Sequence, residues 1–176
     1  MAWCLFPLYI GADLELRQLK VAHADRQYDL LNANRVHIGR WESWAWSTTR
    51  DDQWRFLHTC LGRYANQQGF ACGIWLNNQL VGMITASLDD DGAMELSYWL
   101  DQAHTGQGIM TRAMQRLMDL LQCLPQIERL LLVIAEPNAA SRAVATRLGF
   151  ELAYPASPAF IEGQWVQRLT YIYLVT

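Results

Sequence analysis

The sequence predicts a mixed α/β sheet in a single domain over residues 1–176. Three observations carry that prediction. Residues 70–100 form three strand-like runs that break twice at turn residues, as an antiparallel meander does. Residues 108–122 place apolar side chains at helical spacing. The run Glu128 to Glu136, "ERLLLVIAE", is continuously apolar inside, the pattern of a strand covered on both faces.

Taken in order, Leu14–Gln18 alternates with charges and reads as a first strand. Val21, Ala24, Tyr28 and Leu31 share one face of a helix. A tryptophan-rich loop or short helix follows. Ser47-Thr48-Thr49 before Asp51-Asp52 is a good helix start, and Trp54, Leu57, Cys60 and Leu61 then recur at helical spacing as far as Tyr64. The meander comprises strands 70–76, 80–88 and 93–100, turning at Asn77-Asn78 and at Asp89-Asp90-Asp91-Gly92. In helix 108–122, Ile109, Ala113, Leu117 and either Leu120 or Leu121 point inward. The apolar strand leads to a helix in "PNAASRAVATRLGF", with Gly149 just past its end. Final strands are expected near 150–154 and 165–174, about seven in all.

Composition narrows the function classes. Half of the residues are apolar (52%) and only 18% are charged, so the chain is expected to fold. A net charge of −3 supplies no basic face for nucleic acid. The acidic run reads as a solvated turn, and no metal-ligand spacing occurs. Cys4, Cys60, Cys72 and Cys123 form no C-x-x-C pair and are expected to be small buried hydrophobes in a reducing setting. "MAWCLFPLYI" is apolar but lacks a basic leader region, and Pro7 interrupts it. No apolar run is long enough to span a bilayer. The expectation is a cytoplasmic protein without membrane or nucleic-acid partners.

Two stretches carry chemistry. In "TGQGIMT", Thr105 to Thr111, glycines leave backbone N–H groups unobstructed at a helix start, where unpaired donors and the helix dipole favour an anion. By itself this is equally a tight loop entering a helix. A Walker A loop would need Lys after Gly108, where Ile109 stands. A dinucleotide fingerprint would need a third small residue at Thr111, directly after a βαβ strand. The second stretch is Glu136 to Ser141. Asn138 is a favoured helix cap there, and Ser141 lies in the first turn.

Together, Tyr98-Trp99-Leu100, the Gly106-Gln107-Gly108-Ile109-Met110-Thr111 run and Asn138-x-x-Ser141 ending in Leu148-Gly149-Phe150 resemble the GCN5-related N-acetyltransferases (GNATs). The branch they most resemble acetylates ribosomal-protein serine or alanine N-termini. A weaker likeness runs through Leu14-Glu15-Leu16-Arg17 and Arg40-Trp41-x-x-Trp44, so it covers nearly the whole chain. The resemblance implies a sheet with helices on both faces and acetyl-CoA as cosubstrate, with no metal. Residues Thr105 to Thr111 would hold the pyrophosphate on backbone amides. Trp99 and Leu100 would pair with the pantetheine arm, in a slot left where the strands carrying Leu100 and Val133 splay. Asn138 would hydrogen-bond that arm, and Ser141 would sit near the sulfur. A homodimer is what the family implies for assembly.

The pattern also departs from the family. Thr105 stands where Gln or Arg usually opens the pyrophosphate motif. Ala145 stands where many relatives carry a tyrosine acid, which leaves Ser141 as the acid candidate. Ala159 stands near a glutamate that some relatives use. Direct acetyl transfer needs a base for the amine proton, donors for the oxyanion and a proton for the thiolate. Glu95 is the leading base candidate, on the strand leading to the pantetheine contact, with Glu162, His37 and His104 behind it. Trp41, Trp44 and Trp46 either wall an acceptor pocket or pack the core, and His37 lies beside them. Arg40 and Glu42 either bind a substrate terminus or face water. The acceptor is expected to be a peptide or protein N-terminus, and the resemblance implies that of a ribosomal protein. The alternatives are a small amine (an amino acid, polyamine or aminoglycoside) or a non-catalytic acyl-CoA-binding role.

Overall fold

The computed structural model describes residues 3–175. Its strands are β1 (Leu8–Ile10), β2 (Leu14–Gln18), β3 (Gly69–Leu76), β4 (Gln79–Leu88), β5 (Ala93–Leu100), β6 (Arg129–Ala135), β7 (Glu151–Ile161) and β8 (Gln164–Leu174). They form one sheet of 8 strands in the order β1-β2-β3-β4-β5-β6-β8-β7. Helices are α1 (Ala24–Ala33), α2 (Arg35–Gly39), α3 (Arg50–Ala65), α4 (Ile109–Leu121) and α5 (Ala139–Arg147). Helices α1–α3 cover one face through Leu31, Ile38 and Leu57, packed with Ala71, Trp75 and Trp99. Helices α4 and α5 cover the other through Ala113, Met114, Leu117 and Ala145, packed with Phe70, Ile74 and Met94. The predicted mixed sheet with helices on both faces is therefore present.

Local chemistry explains the element bounds. Thr49 caps α3: its hydroxyl accepts from the Asp52 N–H, and the Asp52 carboxylate accepts from the Thr49 N–H. Helix α4 buries Ile109, Met110, Ala113, Met114, Leu117, Met118 and Leu121, so the inward choice at its end is Leu121. The Asp89 carboxylate accepts from the N–H groups of Asp91 and Ala93, which makes the acidic run a self-bonded turn.

Four expectations need correction. β1 makes an eighth strand, paired antiparallel to β2, and its three residues are too short to show alternation. β7 runs on to Ile161 through Pro155 and Pro158, which an edge strand tolerates because it needs no outer N–H. Trp54 lies outside, stacked on His58, while Gln53 takes the buried position in α3. Cys60 and Cys72 are buried, but Cys4 and Cys123 are exposed. Among the described residues, no helix is long and apolar enough to cross a membrane.

Candidate active site

The site is built where the sheet comes apart. β5 and β6 pair in parallel from Ala93↔Arg129 to Leu96↔Leu132, and then pairing stops. Beyond that point β5 stays paired to β4 through Leu100↔Gly82, and β6 stays paired to β8 through Ala135↔Arg168. Each strand keeps its outer neighbour, so the two inner edges diverge. The backbone groups on those edges then need another partner, either water or an extended ligand with amides of its own.

A cavity of about 530 Å³ occupies this divergence. Its lining includes Leu96 to Leu100 of β5 and Leu132 to Ala135 of β6. Successive β5 side chains face opposite sides of the sheet. Leu96 and Leu100 join the core under α4, whereas Trp99 joins the core under α1–α3. The cavity also touches Ile109 and Ser141 on one side and His37, Trp41 and Glu42 on the other. It therefore passes through the sheet and opens a route between the two faces.

The glycine turn forms one end. Gly106 and Gly108 have φ of +74 and +73, a conformation that disfavours side chains, and a Cβ at either would meet nothing within 4 Å. Gly108 is the N-cap of α4. Among the described residues, no acceptor meets the backbone N–H groups from Gly106 to Thr111. Glycine clears the space in front of them, and the dipole of α4 adds to their field. Thr105, Gly106, Gly108, Ile109, Met110 and Thr111 line the cavity. Two side chains turn away from it. The Thr105 hydroxyl donates to the Gln102 carbonyl (2.8 Å), and the Gln107 amide donates to the Ala103 carbonyl (3.0 Å), so Gln107 offers only its backbone.

The start of α5 forms the adjoining wall. The Asn138 Oδ1 accepts from the Ser141 N–H at 3.2 Å and caps the helix. Its Nδ2 has no partner among the described residues and the residue lines the cavity, so the cap leaves the amide donor free. Ser141 is half-buried in the lining, and its carbonyl accepts from the Tyr98 hydroxyl at 3.3 Å. Burial pushes the Tyr98 phenol up to about 12, so it stays protonated. Arg147 also lines the cavity and donates to the Thr111 hydroxyl at 2.9 Å. This places a guanidinium beside the free N–H run. Arg147 lies outside the sequence motifs, although Ser141, Val144 and Arg147 recur every three residues along one face of α5.

The opposite face gathers the aromatic segment. His37, Trp41 and Trp44 line the cavity, as does Glu42. Trp46 does not. Its indole N–H donates to the Gly39 carbonyl at 3.1 Å, and its ring lies 2.3 Å from where a Gly39 Cβ would stand. The three rings thus divide between the cavity and the packing of α2. Burial, with Arg40, pushes the His37 imidazole below its ordinary value, and Asp101 opposes this. Burial raises the Glu42 carboxyl above its ordinary value; the Trp44 indole and Arg168 oppose that rise and Glu95 adds to it. Glu95 is exposed and lies outside the lining, and Glu162 lies in the turn between β7 and β8, also outside it. Arg168 is in the lining, brought there by its pairing opposite Ala135, which no local motif announces.

A family profile described as an acetyltransferase (GNAT) domain matches residues 13–151. The chain is 27% identical over 150 residues to YdaF of Bacillus subtilis (strain 168), whose name provisionally assigns it ribosomal N-acetylation. That match covers 83% of this chain and 82% of YdaF. It is 27% identical over 148 residues to the ribosomal-protein-serine acetyltransferase of Escherichia coli (strain K12), covering 81% and 82%. Among solved structures, the RimL ribosomal L7/L12 alpha-N-protein acetyltransferase in complex with coenzyme A superposes with a TM-score of 0.91. The identity is 22%, over 97% of this chain and 98% of that one, a likeness of fold. The microcin C7 self-immunity acetyltransferase MccE, with acetyl-CoA and AMP, gives 0.88 at 21% identity over 97% and 98%. The profile match spans β2 to the start of β7, and with it both walls of the splayed cavity: this chain belongs to the GNAT acetyltransferases.

Proposed function

We propose that the protein transfers acetyl from acetyl-CoA directly to the amine of a protein or peptide N-terminus, in the manner of ribosomal-protein acetyltransferases. The cavity crossing the sheet between β5 and β6 carries this reading. Direct transfer needs donor and acceptor to meet head-on, and a passage open on both faces lets each enter from its own side.

The residues present fit the donor. The N–H groups from Gly106 to Thr111, with Arg147 beside them, suit the pyrophosphate. The unpaired edge at Trp99 and Leu100 and the free Nδ2 of Asn138 suit the pantetheine amides. Backbone N–H groups on β5 around Trp99 would hold the developing oxyanion. The Ser141 hydroxyl would donate to the departing thiolate. On the other face, Trp41, Trp44 and His37 would enclose the acceptor, and a mouth walled by indole rings suits a peptide segment as well as its amine. The names carried by the curated relatives favour a ribosomal-protein N-terminus.

Thioester consumption with an acceptor panel tests this. Turnover with peptides beginning in Ser or Ala, and none with free amino acids, polyamines or aminoglycosides, is the expected result. Turnover with free amines alone would replace the peptide assignment. Binding of acetyl-CoA without turnover of any acceptor would leave an acyl-CoA-binding role.

A further inference from the structure

The acetyl-transfer reading leaves one role without an occupant: the group that takes the proton from the attacking amine. Glu42 is the one carboxylate among the residues lining the cavity. Its position is fixed. The Glu42 backbone N–H donates to the Ile38 carbonyl at 3.0 Å, which ties it to the end of α2. Its Oε2 accepts from the Trp44 indole N–H at 3.0 Å, which orients the carboxylate, and Oε1 has no partner among the described residues.

Depth along the splay separates Glu42 from His37, the other titratable candidate in the lining. A ligand whose anionic end rests on the α4 N-terminus, beyond Leu100, must carry its far end toward the closed end of the splay, where pairing resumes at Leu96↔Leu132. Glu42 feels the charge of Glu95, which lies one residue from that closure. His37 instead feels Asp101, which follows the open end of β5, and Arg40. Glu42 thus faces the stretch of β5 that leads into the closure, and His37 faces the residue that follows its open end.

We propose that Glu42 is the general base of this enzyme, accepting the acceptor amine's proton directly or through one water. The inference rests on the acetyl-transfer reading. The amine nitrogen forms a bond to the acetyl carbon and the C–S bond breaks. The electron pair of that bond leaves on the coenzyme sulfur, which takes a proton from the Ser141 hydroxyl, itself replenished from solvent. The proton shed by nitrogen goes to the Glu42 carboxylate, so amine and acetyl-CoA become amide and free thiol with no further reactant. Burial, the Trp44 indole on its own turn, Arg168 on β8 and Glu95 on β5 set the basicity of Glu42, and His37 on α2 is the other titratable imidazole or carboxyl group in the lining. Burial raises its carboxyl above the usual range, which strengthens it as a base while leaving it ionised once the pH exceeds that raised value.

Glu42→Gln keeps an oxygen for the Trp44 indole and removes only the basicity. With wild type turning over a synthetic peptide beginning in Ser, the single-turnover rate of Glu42→Gln near pH 7 should fall about 100-fold or more. Acetyl-CoA affinity, by calorimetry, should stay within about 2-fold. The acid limb set by Glu42 should vanish, leaving only the limb of the amine's own deprotonation at higher pH, where the deficit should shrink. Arg168→Leu should move the acid limb to higher pH, because a positive neighbour is lost. A rate within about 3-fold of wild type, a loss confined to KM with the acid limb intact, or a larger loss in Glu95→Gln or His37→Asn would overturn the assignment. If wild type turns over only a free amine, the peptide reading fails and the same comparison with that amine decides Glu42. No turnover of any acceptor overturns both.

Discussion

Replacing Gly108 with alanine separates a ligand cradle from an ordinary loop. The residue sits at φ +73 with open space where its Cβ would go, so the substitution creates no clash. Its intrinsic cost is the left-handed backbone, about 1–2 kcal/mol for a residue with a Cβ. For a chain of this size that lowers Tm by roughly 2–8 °C. Gly163, in the turn between β7 and β8, is a matched control: φ is +80 and a Cβ there also meets nothing within 4 Å. Gly163→Ala should lose the same stability. The two differ in what lies in front of them. At Gly108 the methyl enters the space facing the free N–H run, where a pyrophosphate would make charge-assisted hydrogen bonds. Losing one such bond costs about 1.5–3 kcal/mol, or about 10- to 100-fold in Kd at roughly 1.4 kcal/mol per decade. Thermal melts and calorimetric titration with acetyl-CoA read the two effects separately. Gly108→Ala should lose stability and affinity; Gly163→Ala should lose only stability. Equal stability losses with acetyl-CoA affinity unchanged in both would refute the cradle and leave a tight loop entering a helix.

Other substitutions address the remaining walls. Ser141→Ala should lower kcat more than it weakens acetyl-CoA binding; an unchanged kcat, with chemistry shown to limit turnover, removes the hydroxyl from thiolate departure. Asn138→Asp keeps the capping oxygen but loses the free Nδ2, so Tm should hold while acetyl-CoA binds roughly 10-fold more weakly; equal affinity would assign Asn138 to capping alone. The raised carboxyl of Glu42 favours its protonated form in the folded state. Its stabilising contribution is complete below the ordinary value of 4.5 and is lost as pH rises through the raised folded value. Melts of Glu42→Gln across that window should therefore lose less stability with rising pH than wild type, and parallel curves would contradict the shift. A thiol reagent should label exposed Cys4 and Cys123 in the native protein and spare buried Cys60, whose thiol burial pushes up to about 11, and Cys72.

What the sequence disclosed follows from how local each signal is. The glycine turn, the Thr49 cap and the inward stripe of α4 are each set by residues close together in the chain, so spacing alone revealed them. The interior strand β6 showed itself by its unbroken apolar run. β1 did not, because a three-residue strand has no period to read. The site divided in the same way. Asn138 and Ser141 sit in one helical turn, and their proximity is a matter of spacing. The base is not: Glu42 and Glu95 lie far apart in sequence, and only folding shows which of them the cavity includes. Arg168 reaches the site through strand register opposite Ala135, which depends on β8 inserting between β6 and β7. Trp41, Trp44 and Trp46 look equivalent in the sequence, yet packing against Gly39 withdraws the last from the cavity.

A crystal structure of the protein with coenzyme A and a peptide beginning in Ser would show whether the passage through the sheet admits one substrate from each face. The expected arrangement has the pyrophosphate on the N–H groups from Gly106 to Thr111 and the pantetheine arm between β5 and β6. It has the peptide amine entering from the Trp41 and Trp44 side, within hydrogen-bond reach of Glu42 or of a water it holds. Coenzyme A bound elsewhere, or both ligands entering from the same face of the sheet, would contradict it.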